Sequence, residues 1–300
     1  MINSKTDLKT WMHATRERVN LALEGSILRL DVTSDQLKKA MLYAVKGGGK
    51  RVRPMLAYAA SELSEDGGEI LDDVCVAIEL VHIYSLIHDD LPCIDDDSLR
   101  HGKPTLHKKY GEAWAILTGD ALHTLAFETL SNIDMGDNEI QKIELIQKLA
   151  KAAGPMGMVD GQCLDLQLVG CSSSLEKLTK MHGLKTGEMI VAATEMGGIC
   201  VPSLSNEERQ ALTHFAKKIG LAFQVVDDIL DAESNTDTLG KTAGKDKRDN
   251  KPNFVELMSV SGAKEYAETL KIDATQHLKK FSKRANRLVE LATYIISRTY

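Results

Sequence analysis

Two stretches of this chain are apolar on nearly every side, and both end in carboxylates. "LDDVCVAIELVHIYSLIHDD" covers residues 71–90 and "HFAKKIGLAFQVVDDILD" covers residues 214–231. A helix that is apolar all round lies buried among other helices. The C-terminal end of a helix is its negative end, so unpaired aspartates there are repelled. A chain with two such helices must surround them with more helices and bring positive charge to their ends.

The remaining sequence supplies the helices. Apolar residues recur at i, i+3 and i+4 near 7–28, 34–46, 54–64, 111–131, 138–153, 175–200, 206–231 and 262–297, in segments rich in Ala, Leu, Glu, Lys and Met. Alternating strand patterns are absent, aromatic content is 5%, and only six prolines interrupt the chain. No repeat, low-complexity linker or shift in composition marks a boundary. The expectation is one all-α domain, a helical bundle over residues 1–300.

Charge and cysteine usage narrow the function. The net charge of −6 argues against a nucleic-acid partner held by phosphate contacts. The five cysteines (75, 93, 163, 171 and 200) are scattered and form no C-x-x-C pair, which predicts neither a disulfide framework nor a zinc site. The first twenty residues read as a polar amphipathic helix, and no uncharged apolar run is long enough to span a bilayer. A cytoplasmic protein is expected.

The carboxylates themselves point to a cation. In "HDDLPCIDDDSLRHGKP", Asp89 ends the first apolar helix, Pro92 breaks it, and Asp95 and Asp96 follow the turn. Asp227 and Asp231 project from one face of the second, with Asp228 beside them. Hard oxygen ligands of this kind suit magnesium, which takes one or two carboxylates and completes its shell with water and phosphate. One aspartate cluster alone would be an ordinary solvated loop; two, each ending a very apolar helix, are not. Glu79 and His82 form an E-x-x-H, but a carboxylate-bridged di-iron bundle needs two and no second is present. "GGGKRVRP" adds Lys50, Arg51 and Arg53 before Pro54, expected at the first position of a helix, and does not satisfy the P-loop pattern.

Taken in order, "GGGKRVRP", "HDDLPCIDDD…LRHGKPT", "GDAL", "GQCLDL", "KTG" and "FQVVDDILD…TLGK" resemble the trans-isoprenyl diphosphate synthases, most nearly their bacterial farnesyl diphosphate synthase branch. The resemblance implies an all-helical fold around a deep central cavity, a homodimer, and head-to-tail condensation of isopentenyl diphosphate with an allylic diphosphate. It implies Mg²⁺, three ions to a site, on Asp89, Asp95 and Asp227, supported by Asp90, Asp96, Asp228 and Asp231. Arg100, Lys185 and Lys241 match residues that grip the allylic diphosphate; Lys50, Arg53 and His82, with His101 beside them, match the isopentenyl diphosphate site. Thr186 and Gln224 match polar groups near the developing carbocation. His101 stands where bacterial members often carry a second Arg, and Lys251, in the variant "KPNF", is a weaker match than Lys241.

Product length has its own candidate. Tyr84 and Ser85, five and four positions before Asp89, lie roughly 6 to 7.5 Å deeper along the helix, about one isoprene unit. An aromatic there can act as a floor, and the resemblance implies that this arrangement goes with a fifteen-carbon product. The alternatives are a synthase of geranylgeranyl diphosphate, a terpene cyclase, in which the second motif would be an Asn/Ser/Glu-type triad, and a non-catalytic subunit of a heteromeric synthase, which would lack one motif or its basic partners.

Overall fold

A computed structural model describes residues 6–64, 70–136, 138–201, 203–233 and 251–298. Its elements in chain order are α1 (Leu8–Leu28), α2 (Asp35–Val45), α3 (Val52–Ser61), α4 (Leu71–Asp89), β1 (Leu99–Arg100), β2 (Lys103–Pro104), α5 (Leu106–Tyr110), α6 (Glu112–Ser131) and α7 (Glu139–Ala153). These are followed by α8 (Met158–Leu168), α9 (Leu175–His182), a π turn over Gly183–Gly187, α10 (Glu188–Ile199), α11 (Asn206–Glu233), α12 (Phe254–His277), a 3-10 segment over Leu278–Ala285 and α13 (Asn286–Ser297). The fold is all-α. The expected single domain divides into two compact units, Met1–Met55 with Glu69–Ile146 and Leu56–Gly68 with Gln147–Tyr300.

In the first unit, α4 is the buried element. Val74 to Val81 are covered without a break, which is why its sequence shows no polar face. Helix α1 packs Trp11, Val19, Leu23 and Ile27 inward as the 3.6-residue period requires. In the second unit, Val225, Val226 and Ile229 of α11 form a core with Leu178 and Met181 of α9 and with Phe254, Ala263, Ala267 and Leu270 of α12.

The structure differs from the periodic expectation where the backbone bends. Helix α12 begins at Phe254 rather than near 262, because Ser259 has φ 65 and ψ 164 and the first turn therefore presents a different face. A second positive φ, 52° at Ser282, sits in the 3-10 segment that divides the stretch expected as one helix to 297. Pro54 is the third residue of α3, not the first; the first-turn N–H groups have no partner within the helix, so the ring is tolerated there too. The only strands among the described residues are β1 and β2, joined through His101 and Gly102 with φ 50 and 73. Two consecutive positive φ values are what a tight type I′ turn needs, and His tolerates them better than most side chains.

Arg51 pins the first unit. It comes one residue after a run of three glycines, takes φ 53 and is buried. Its guanidinium donates to Asn20 Oδ1 of α1 at 3.0 Å, to the Val45 carbonyl at the end of α2 at 2.8 Å, and to Glu79 Oε1 of α4 at 2.7 Å. Removing one partner of a buried pair strands the other charge. Arg51→Ala should therefore lower unfolding free energy by about 3–5 kcal/mol in urea denaturation, and the Arg51→Met/Glu79→Met pair should recover much of that loss.

Candidate active site

The first aspartate motif is built by the end of α4 folding back on itself. The Asp95 N–H donates to the Asp89 carbonyl at 2.9 Å and the Asp96 N–H to the Leu91 carbonyl at 3.1 Å, capping carbonyls the helix leaves open. Asp96 has φ 47, a left-handed position ending the turn. This brings Asp89 and Asp95 together although Pro92 and Cys93 lie between them. The hairpin then returns Arg100 to Asp90, with Nε 2.9 and 3.0 Å from the two carboxylate oxygens and Nη2 2.6 Å from Oδ1. Desolvation opposes the charge on Arg100, but Asp90, Asp97 and Asp89 outweigh it and raise its pKa.

Around the same motif the first unit gathers the expected acceptor residues. Burial pushes the His82 imidazole well below its ordinary pKa, and Arg53, Arg100, Arg51 and His101 push it the same way, so it is a neutral hydrogen-bonding group. His101, at the hairpin tip, lies within reach of the glycine run: a Cβ on Gly49 would stand 3.7 Å from its Nε2. Partial desolvation, then Arg100, Arg51 and Lys50, lower its pKa, against the opposing pull of Glu79. Arg51 is turned into the core, whereas Lys50 and Arg53 of "GGGKRVRP" are only half-buried. The same contact neutralises Glu79 and removes E-x-x-H as an iron motif.

Tyr84 packs edge-on against His123 of α6, ring centroids 4.5 Å apart, and against His88 at 5.7 Å. Burial, with help from Asp89, raises its hydroxyl pKa to about 12, so it stays protonated. The Ser85 hydroxyl donates to the His82 carbonyl of its own helix at 2.8 Å. Gly119, in "GDAL", is where the His88 ring lies on α6: a Cβ there would come within 2.1 Å of Nε2.

The second unit assembles a parallel set. On α11, Gln224 Nε2 lies 3.1 Å from Asp227 Oδ2, and Arg298 Nη2 lies 2.9 Å from Asp227 Oδ1. Asp228 is buried and accepts from the Phe254 N–H at 2.7 Å, holding the start of α12. Asp231 stands one turn beyond Asp227, and its Oδ1 is buried with no hydrogen-bond partner among the described residues. A buried orphan carboxylate oxygen calls for a cation or water, so the residues fit a bound magnesium ion. In both motifs the second aspartate of the pair, Asp90 or Asp228, is anchored by a protein donor. Among the described residues no group of three or more His, Cys, Asp or Glu side chains is placed to hold a metal ion by itself.

Asp165 is the residue that sequence inspection left without a role. It lies in "GQCLDL", buried on α8, and its Oδ2 accepts from Lys185 Nζ at 2.7 Å and from Lys251 Nζ at 2.9 Å. Desolvation works against its charge, but the two lysines prevail and hold the carboxyl below its usual pKa. The signal was the i, i+4 spacing from Gly161, whose missing side chain lets α8 touch the π turn: a Cβ would stand 2.1 Å from the Lys185 nitrogen. The π turn lifts Lys185 and buried Thr186 out of regular helical register. Lys251, the weaker match, is thus paired here with Lys185, whereas Lys241 lies outside the described residues. His182 also went unremarked; burial lowers it to about 4, and it stacks on Phe254 at 5.3 Å.

A model of the polyprenyl synthetase family matches residues 34–291. The chain belongs to the polyprenyl synthetase family. Farnesyl diphosphate synthase of Escherichia coli is 41% identical over 296 residues, 97% of this chain and 99% of that one. Geranylgeranyl pyrophosphate synthase 4 of Arabidopsis thaliana is also 41% identical, over 98% of this chain and 79% of its own. Among solved structures, a Helicobacter pylori geranyltransferase complexed with magnesium and isoprenyl diphosphate superposes with a TM-score of 0.87 at 34% identity, covering 98% of this chain and 99% of that one.

Two predictions follow from these contacts for a member of this family. Protonated His101 would hold an anion more tightly than neutral His101, which keeps only one N–H to donate, and its pKa starts below the usual value. Any grip of this histidine on isopentenyl diphosphate is expected to be strongest below its pKa in the bound state and to weaken as pH rises through that value. KM for isopentenyl diphosphate should climb with pH in wild type and stay flat in His101→Arg, read from steady-state kinetics between about pH 5.5 and 8. Asp165→Asn removes the charge that gathers Lys185 and Lys251. It should raise KM for the allylic diphosphate and lower kcat at least about tenfold, while Asp165→Glu retains part of both.

Proposed function

We propose that this chain is a farnesyl diphosphate synthase, a magnesium-dependent prenyltransferase that joins isopentenyl diphosphate head to tail with dimethylallyl and then geranyl diphosphate. The observation that carries this reading is the pair of aspartate motifs, each with its second aspartate anchored and with basic residues gathered beside it. Residues 1–300 act as one isoprenoid synthase domain in this account.

Asp89, Asp95 and Asp227, with Asp231 one turn on, would hold three magnesium ions, which would supply Lewis-acid neutralisation of the leaving diphosphate. The protein does the rest. Arg100, Lys185 and Lys241 hold the allylic diphosphate, and Lys251 joins Lys185 through Asp165. Lys50, Arg53, neutral His82 and His101 hold isopentenyl diphosphate, so that its double bond faces the allylic carbon. Thr186 and the Gln224 amide direct oxygen dipoles at the allylic cation as its bond to diphosphate breaks. After the new carbon–carbon bond forms, the proton passes to the released diphosphate, a base already beside the new carbon chain.

We assign the molecule to the cytoplasm, supported by five free cysteines; no helix among the described residues is long and apolar enough to cross a membrane. A homodimer is supported by exposed Ile116 and Leu117 on α6 and Ile140 and Ile143 on α7, which leave apolar surface for a second copy.

Relatives that make fifteen- and twenty-carbon products are equally identical to this chain, so product length turns on the residue one turn and a half below Asp89. Purified protein given Mg²⁺, labelled isopentenyl diphosphate and dimethylallyl diphosphate should yield mainly a fifteen-carbon product by chromatography. Tyr84→Ala should shift it to twenty carbons and longer. A twenty-carbon product from wild type would favour the geranylgeranyl alternative, and no product would favour the non-catalytic subunit.

A further inference from the structure

Arg298 is the first residue after α13, and nothing in the chemistry above uses it. Its guanidinium lies over the Phe223 ring at 3.7 Å and donates to the Phe223 carbonyl at 2.7 Å and to Asp227 Oδ1 at 2.9 Å. Its side chain is 2% exposed, whereas that of Asp227 is 41% exposed. The arginine is therefore built in, while the carboxylate keeps an open side. Gln224 occupies the other oxygen of Asp227. Both oxygens of an expected metal ligand thus already carry a protein donor, and one donor is a full positive charge.

We propose that Arg298 is the resident counter-ion of Asp227: it neutralises the carboxylate before metal arrives, and metal entry works against its charge. The inference rests on the reading of Asp227 as a metal ligand. A divalent ion at about 2.1 Å from a carboxylate oxygen stands only about 4–5 Å from a guanidinium on the same carboxylate, close enough for strong repulsion. A diphosphate on the far side of the metal supplies the negative charge that offsets this repulsion. Arg298 thereby makes metal loading at the second motif depend on substrate diphosphate and keeps the site from filling with metal alone. Its anchoring on Phe223 and its burial stop it from swinging away as an exposed arginine would.

The test is direct Mn²⁺ binding to the full chain, followed by electron paramagnetic resonance with and without inorganic diphosphate. Arg298→Met keeps the apolar contact with Phe223 and removes the charge. It should bind Mn²⁺ about tenfold tighter than wild type without diphosphate, and the gain that diphosphate brings should shrink. Arg298→Lys should restore wild-type behaviour. Unchanged affinity in Arg298→Met overturns the proposal, and weaker affinity overturns it in favour of a merely orienting role. Should Arg298→Met not fold, Arg298→Gln, which keeps a donor for the Phe223 carbonyl, reads the same shift. Asp227→Asn separates the two levels: if it leaves Mn²⁺ binding intact, Asp227 is not a ligand, and the metal reading itself fails along with this inference.

Discussion

Charge compensation at the ends of two apolar helices governs this structure. Helix α4 and the stretch of α11 from Phe215 to Leu230 are largely buried and deliver aspartates toward their negative ends. Left alone, those carboxylates would oppose both the helix dipoles and each other. The protein answers with an arginine chelating Asp90, an arginine on Asp227 and a helix N-terminus on Asp228. The third answer is economical: the start of α12 has N–H groups to satisfy, and Asp228 has charge to place.

The same logic explains why the aspartates come in pairs. In each pair the second member is anchored by a donor that arrives from later in the chain. Asp90 is fastened by the hairpin downstream of α4 and Asp228 by the start of α12, about twenty residues beyond α11, while Asp227 is held as well, by Arg298 and Gln224. Asp165 applies the principle in reverse, with one buried carboxylate gathering two lysines whose like charges would otherwise push them apart. Sites that act on diphosphate depend on such preorganisation, because little covalent chemistry is left for the protein to do.

Much of this was legible beforehand. The helical content, the buried character of α4, the two motifs and the basic stretch before α3 all follow from local pattern. Asp165 did not, because a buried aspartate is recognised only by what reaches it, and Lys251 arrives from 86 positions away. Arg298 is invisible for the same reason, 71 positions from its partner. The division of labour within "GGGKRVRP" was also hidden, since three basic residues among four positions look alike until the left-handed backbone at Arg51 turns one of them inward.

The sequence by itself determined the helices and the chemistry, since apolar periodicity sets which faces are buried and clustered aspartates set the kind of cation they attract. Tertiary structure alone decided which donor anchors each aspartate, which lysines share a counter-ion, and which arginine stands against Asp227. Those choices are made by contacts between residues far apart in the chain, and no local pattern encodes a distance that only folding creates.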